Sequence, residues 1–474
     1  MREYSGPSTS VEARPPACRR AAGLGLLLLF HLILGCSAPD RTANVPLADG
    51  ARNGSYDLAA LNASSGRADL LILVALSGGG MRSAAFAHGV LRGMRHVPIP
   101  GGQAAASNLL AEIDQLSGVS GGSFPAAHYA LYGEKSFATF PADFLYRDIA
   151  DYVWGSYVLP WHWRGLLSPL AGTNDRMAEV YDGLLFHGAT FSDLISRGRP
   201  RLSINATDLA TGVAFPFLPR TFDVICSDFA RFPIAQAVAA SNGFPVLFTP
   251  ITLRNYRGAG CDLPMPRMDV VPAVASSDEA RRLREIVRTM ADSVRTPWLH
   301  LVDGGVADNL AMRAMHNFTL LGGTEDASFA ERSLPVRRIL LISVDGQSST
   351  DPAISLQRHV GGLAQIFDAV SGAQIDNYNA ETMAATSQEL QRAVQRQRAR
   401  RCGVARRLEG RACDDVRGLV TRISLSDIQD VAHRNALRRI PTGLSLPRSE
   451  IGMLIAAGEA VVRHNRMILE FLAQ

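Results

Sequence analysis

The chain of 474 residues carries 48 lysines and arginines against 44 acidic residues, a formal charge of +4, with 47% hydrophobic and 19% charged residues. That is enough apolar material for a large core, in one big α/β domain with additions or in two domains. The charge is too mild to imply nucleic acid as a partner. Lys135 is the one lysine, and the preference for arginine is read as compositional bias before function.

Arg14, Arg19 and Arg20 precede an apolar run over 24–34 and then Gly35-Cys36-Ser37. A basic start, a short apolar core and a small residue at the cleavage point describe a secretory signal over residues 1–35. The run falls short of the about 20 residues that span a bilayer. Ile33-Leu34-Gly35-Cys36 resembles a bacterial lipobox, in which Cys36 is lipidated and becomes the first mature residue. Leu34 is bulkier than usual there, so ordinary secretion is the alternative. Ser37 after the cysteine, rather than Asp, favours an outer-membrane lipoprotein facing the periplasm. Removing the signal takes four arginines and two glutamates and leaves a charge of about +2. Residues 36–67, rich in small and polar side chains, read as a tether.

Leu70-Leu71-Ile72-Leu73-Val74-Ala75-Leu76 has the length of a buried strand, and Ser77-Gly78-Gly79-Gly80-Met81-Arg82 leads from it into helical spacing. Such a turn leaves unpaired amides of Gly78, Gly79 and Gly80 at a helix N-terminus, which suits an anion. A phosphate loop is the weaker reading, since no Lys-Ser/Thr follows and the G-x-G-x-x-G pattern ends in Ser83. A tight turn without a ligand is the plainest one. Further on, Gly118-Val119-Ser120-Gly121-Gly122 is a G-x-S-x-G, which describes a nucleophilic serine on a sharp strand-to-helix turn. For acyl transfer the anion would be the tetrahedral intermediate formed on Ser120.

The segment 151–163 holds Trp154, Trp161 and Trp163, three of the four tryptophans, and reads as a membrane-facing lid, an acyl-chain wall or ordinary core. Leu202–Ala206 reads as a strand before Thr207-Asp208-Leu209-Ala210-Thr211-Gly212. Trp298–Val302 reads as another, running into Asp303-Gly304-Gly305. An aspartate at a strand end in an α/β sheet faces the crevice where ligands bind, although Asp before Gly also simply opens turns. A strand over Arg338–Asp345 and mostly helical sequence follow. Residues 392–411 carry eight arginines and read as a solvated face or a surface for anionic headgroups. Ile440–Leu444 is a turn, and one amphipathic helix begins with Ser449 as N-cap.

The glycine turn, the serine elbow and Asp-Gly-Gly, in that order, resemble the patatin-like phospholipase family. Ala239-Ala240-Ser241-Asn242-Gly243-Phe244-Pro245-Val246-Leu247-Phe248-Thr249-Pro250 is similar to that family's Ala-Ser…Pro…Phe-x-Pro segment. The resemblance covers roughly residues 68–350, with 351–474 a mostly helical extension. It implies a three-layer α/β fold, a mostly parallel sheet with helices on both faces and the site at the strand C-termini. It also implies a Ser120–Asp303 dyad without cofactor or metal, acting on phospholipid or other acyl esters, with Arg82, Gly118, Gly122, Gly304 and Gly305 supporting it. Ser83 departs from the family's usual glycine. Two alternatives stay open: a lipoprotein that binds lipid without turnover, and a triad esterase drawing on His316, His359, His433 or His464.

Four cysteines remain in the mature chain, Cys226, Cys261, Cys402 and Cys413, and allow three pairings. Proximity favours Cys226–Cys261 and Cys402–Cys413, with free thiols the alternative. No Cys-x-x-Cys or clustered His points to a metal.

Overall fold

The computed structural model describes residues 42–48, 51–54, 67–100, 107–158, 172–245, 247–258, 261, 263, 285–313, 315, 333–346, 358 and 363–474. Cys36, Trp161, Trp163, His316 and His359 lie outside them, as do residues 1–35 and most of 36–67. Within 36–67, expected as a tether, Asn44 is buried and donates to the Arg254 carbonyl at 2.8 Å, and Asn53 donates to Asp223 at 2.7 Å.

The strands are β1 (Leu70–Leu76), β2 (Ile113–Val119), β3 (Arg201–Asp208), β4 (Val213–Pro216), β5 (Ile251–Arg254), β6 (Trp298–Asp303), β7 (Arg338–Asp345) and β8 (Arg417–Ser424). The helices that position the site are α1 (Gly80–Met94), α2 (Ser123–Tyr132), α3 (Ile234–Ser241), α4 (Leu363–Val404), α5 (Arg448–Arg463) and α6 (Arg466–Ala473). The strands form one sheet of eight in the order β8-β7-β1-β2-β3-β6-β5, with β4 also on β3. From β8 to β3 every pairing is parallel, while β4, β5 and β6 join antiparallel.

Runs such as LLILVAL and RILLISVD form central parallel strands because both faces are covered. Side chains of β1 alternate between two cores: Ile72, Val74 and Leu76 pack with α1 and α5, and Leu73 and Ala75 pack with Leu390 and Val394 of α4. This is the three-layer α/β architecture. The register of β1 against β2 shifts at Ile72/Leu73. There the buried Asp114 accepts the Ile72 N–H at 2.8 Å and meets Arg199 at 3.0 Å.

Residues beyond 350, expected as a mostly helical extension, add a strand to the same sheet. This strand, β8, pairs with β7 along its full length, and α5 packs across α1. A Cβ on Gly89 of α1 would stand 2.2 Å from the Ile455 carbonyl, and one on Gly458 of α5 would stand 2.4 Å from that of Phe86. Only glycines let two helices approach this closely. The final segment is also two helices rather than one. α5 starts at Arg448 after Pro447, and Asn465 opens α6 by accepting the Ile468 N–H at 3.1 Å.

Both favoured disulfides are present, Cys226–Cys261 and Cys402–Cys413. Among the described residues no helix is long and apolar enough to cross a membrane.

Candidate active site

β2 ends at Val119 in extended backbone, and Ser120 turns sharply into α2 with φ +48. A non-glycine residue in that left-handed region costs about 1–2 kcal/mol, so the surroundings must hold it there. Ser120 Oγ donates to Asp303 Oδ2 at 2.8 Å. The other carboxylate oxygen accepts the Gly305 N–H at 2.7 Å, which fixes the rotation of the group. Ser120 is 9% and Asp303 7% exposed, so the pair is almost withdrawn from solvent. Burial pushes the Asp303 carboxyl up from 3.8 to about 6, against the opposing bonds from Gly305 and Ser120.

Asp303 stands at the C-terminal end of its strand, as expected, and β6 runs antiparallel to β3, with Asp303 opposite Ala206. It therefore descends toward the serine from beyond the carboxyl edge of the parallel strands. Thr207 Oγ1 donates to the Asp303 carbonyl at 2.8 Å and accepts the Ala307 N–H at 3.1 Å, pinning the backbone on both sides of the turn.

The glycine turn lies against the elbow. A Cβ on Gly78 would come within 3.2 Å of Ser120 Cβ, and one on Gly121 within 2.1 Å of the Gly80 carbonyl. Gly79 (φ 127) and Gly80 (φ 58) hold conformations that an L side chain resists. Gly78 requires a correction: its N–H donates to the Asn309 carbonyl at 2.9 Å and is not available to an oxyanion. The amides of Gly79 and Gly80 have no acceptor among the described residues, as expected at a helix start.

Arg82 is buried and reaches away from the dyad, donating to the Gly346 carbonyl at 2.9 Å and the Ile440 carbonyl at 2.7 Å. With Met81 N–H donating to Gly443 O at 2.8 Å, the turn at 440–444 braces the glycine turn from outside. Ser83, the departure from the family pattern, donates to the Ser77 carbonyl at 2.7 Å and so closes the same turn. Gly118 packs on Ser123, Gly122 on the carbonyls of Leu76 and Ser77, and Gly304 on the carbonyl of Asn205.

No described histidine takes part. His433 and His464 are exposed on α-helical surface, His464 Nδ1 lying 2.9 Å from its own helix's Ala460 carbonyl. His300 is exposed on β6 and contacts Thr252 at 3.0 Å. The arginine-rich segment continues into β8, whose Arg417 is level with Arg338 and Leu70. That is the opposite edge of the sheet from Ser120, about 20 Å away along a seven-residue strand. Trp154 lies within a helix over Ile149–Val158, and nothing further is described for the tryptophan segment. Among the described residues no three His, Cys, Asp or Glu side chains converge to hold a metal ion.

Several residues around the dyad were not assigned a role from sequence. Asn309 binds Gly78, Thr207 holds Asp303, and Ser241 and Asn242 bind the Ser120 backbone. The quoted 207–212 and 239–250 segments contain three of them, and no local signal marks Asn309.

Structural comparison finds solved structures of human GIVD cytosolic phospholipase A2. One has a TM-score of 0.44 at 13% identity, covering 92% of this chain and 68% of that one. Two more, of that enzyme in complex with methyl gamma-linolenyl fluorophosphonate, one of them also with terbium chloride, have TM-scores of 0.40 and 0.39 at 12% and 13% identity. Both cover 88% of this chain and 62% of the other. No curated protein matches. The model of the patatin-like phospholipases matches residues 74–316. That span holds the glycine turn, the serine elbow and Asp-Gly-Gly and exceeds half of the sequence, and the chain therefore belongs to the patatin-like phospholipase family.

Proposed function

We propose that this protein is a serine lipid acyl hydrolase in which Ser120 is the nucleophile and Asp303 the base. The observation that carries the reading is the 2.8 Å bond from Ser120 Oγ to a buried carboxylate whose other oxygen is already held by Gly305. In the acylation step Asp303 Oδ2 takes the hydroxyl proton as Oγ attacks the ester carbonyl carbon. The carbonyl oxygen becomes an oxyanion, for which the amides of Gly79 and Gly80, without an acceptor among the described residues, are the donors we assign. Collapse breaks the bond to the leaving alkoxide, which takes the proton from Asp303, and leaves acyl-Ser120. Water then attacks with Asp303 again as base, releasing a fatty acid.

A carboxylate near pKa 4 is a poor base for a hydroxyl. Burial narrows that gap by raising Asp303 to about 6. The substrate class, phospholipid or another acyl ester, follows from the family. We further propose that Cys36 is lipidated and tethers the enzyme to the bacterial envelope, with the tryptophan segment contributing membrane contact. Radiolabelled palmitate incorporation in wild type and Cys36→Ala tests the anchor.

Hydrolysis of a mixed-acyl phospholipid by wild type, Ser120→Ala and Asp303→Asn tests the chemistry. Fatty acid released by wild type and by neither folded variant is the expected result, and the identity of the released chain reports which ester is cut. Lipid binding without release, across several ester substrates, would favour the lipid-binding alternative. Activity that survives Asp303→Asn would reject the dyad.

A further inference from the structure

The C-terminal residue of α3 and the two that follow it touch both halves of the dyad. Ser120 N–H donates to Ser241 Oγ at 2.9 Å, and Ser241 Oγ in turn donates to the Asn205 carbonyl at 2.6 Å. On the other side of the same residue, Asn242 Nδ2 donates to the Ser120 carbonyl at 3.0 Å. The Asn242 amide also reaches Ser123 Oγ at 3.0 Å, and that hydroxyl itself donates to the Ser120 carbonyl at 2.6 Å. The peptide groups flanking Ser120 are therefore gripped on both sides, at a residue whose φ of +48 the chain would not adopt unaided. The base is held by the same three residues. Asp303 N–H donates to the Gly243 carbonyl at 2.9 Å, and Gly304 N–H to the Ser241 carbonyl at 3.2 Å.

Nucleophile and base lie 183 residues apart, on strands that are not neighbours in the sheet. Ser241-Asn242-Gly243 is a short piece bonded to both. We propose that Ser241 and Asn242 are positioning residues whose role is to set the Ser120 Oγ–Asp303 Oδ2 separation for proton transfer. They act through Ser120 and Asp303, whose backbones they hold. This rests on the proposed dyad mechanism and adds that the geometry is imposed from α3 rather than by β2 and β6 alone. Ser241 is fully buried, which keeps water from competing for the Ser120 N–H. Its hydroxyl is suited to the task because it accepts from Ser120 and donates to Asn205 at once, so its orientation is fixed.

A misplaced nucleophile lowers the chemical step and leaves substrate binding alone. Ser241→Ala should therefore lower kcat by about ten- to a hundredfold, with KM within about twofold of wild type. Ser241→Thr, which returns a hydroxyl, should recover most of the loss. Asn242→Asp keeps the shape but replaces the donor by an acceptor facing the Ser120 carbonyl, and should give a loss of similar size. Asn242 is partly exposed, so this variant carries the test should Ser241→Ala fail to fold.

A second readout does not depend on lipid turnover: the second-order rate of Ser120 labelling by an alkyl fluorophosphonate. It should fall in Ser241→Ala and Asn242→Asp in parallel with kcat, at unchanged melting temperature. Wild type that is labelled at Ser120 but hydrolyses no lipid would overturn the proposed function while still testing the clamp. Variants with wild-type kcat and labelling rate would overturn the clamp, as would a loss in Ser241→Ala that follows a fall in melting temperature and is not recovered by threonine.

Discussion

Asp303→Asn should make the protein more stable as well as inactive. The carboxyl is ionised in both folded and unfolded chains at pH 8, and burial makes the charge expensive in the folded one. Raising its pKa from 3.8 to about 6 corresponds to about 3 kcal/mol of lost stability. The sign follows from proton binding. Between these two values the folded state holds the proton and the unfolded state does not, so the contribution to stability is greatest below pH 3.8 and disappears as pH rises through 6. Asparagine is neutral throughout and nearly isosteric. Its Oδ1 can keep the Gly305 N–H while its amide donates to Ser120 Oγ, so little else is lost. The expected gain is about 3 kcal/mol at pH 8, about half of that at pH 5, and near zero at pH 3.5. Chemical denaturation of both proteins at the three pH values measures it. An Asp303→Asn protein that is less stable at pH 8, or whose gain does not shrink with falling pH, would refute the argument that desolvation sets the basicity of this carboxylate. Wild-type hydrolysis supplies the complementary readout: the proposed base, Asp303, works only when deprotonated, so kcat/KM should rise with pH to a plateau with a midpoint near 6.

Gly80→Ala should put a Cβ 2.7 Å from the Gly443 carbonyl at a backbone φ of +58. Steady-state hydrolysis should fall by about 100-fold or more as the amide moves off the oxyanion, and unchanged kcat would remove Gly80 from that role. His88 and His128 are buried among Phe137, Phe140 and Tyr132. Burial first, then Arg92 beside His88 and His187 beside His128, holds them down from 6.5 to about 3 and about 4. Their stabilising contribution is complete above pH 6.5 and is lost as pH falls toward those values. Unfolding titrations should show wild type losing about 1.4 kcal/mol per pH unit relative to His88→Leu below 6.5, whereas a constant difference would reject a neutral buried ring.

Much of the site was legible because its signals are local. A strand-length apolar run followed by a glycine turn, or a serine between glycines, constrains its own backbone whatever surrounds it. Leu70–Leu76 and Arg338–Asp345 became strands as read, and the Ser120 elbow lies where G-x-S-x-G puts it. What was missed depends on partners far off in the chain. The direction of β6 is decided by its neighbour β3, and Trp298–Asp303 has the same composition for either direction. Arg417–Ser424 sets Leu419, Val420, Thr421 and Ile423 among Arg417, Gly418 and Arg422, a short mixed pattern that does not mark an edge strand until β7 offers a template. The Gly78 amide looked free from sequence because its acceptor, Asn309, is more than 200 residues away.

The same distinction applies to the C-terminal residues, whose sequence reads as a helical extension. Nothing in 440–444 resembles a catalytic motif, yet its carbonyls accept from Met81 and Arg82, the two residues directly after the glycine turn. α1 begins at that turn and is clasped by α5 through glycine contacts. The turn's conformation is strained for all but glycine, and glycine alone does not choose it. Its neighbours do: Asn309 holds Gly78 from the Asp303 side, and the 440–444 turn holds Met81 and Arg82 from the other. Two amides without an acceptor among the described residues, beside the serine elbow, are thus a product of segments separated by most of the chain. The C-terminal residues help to hold the glycine turn of the proposed site, although no motif announces them.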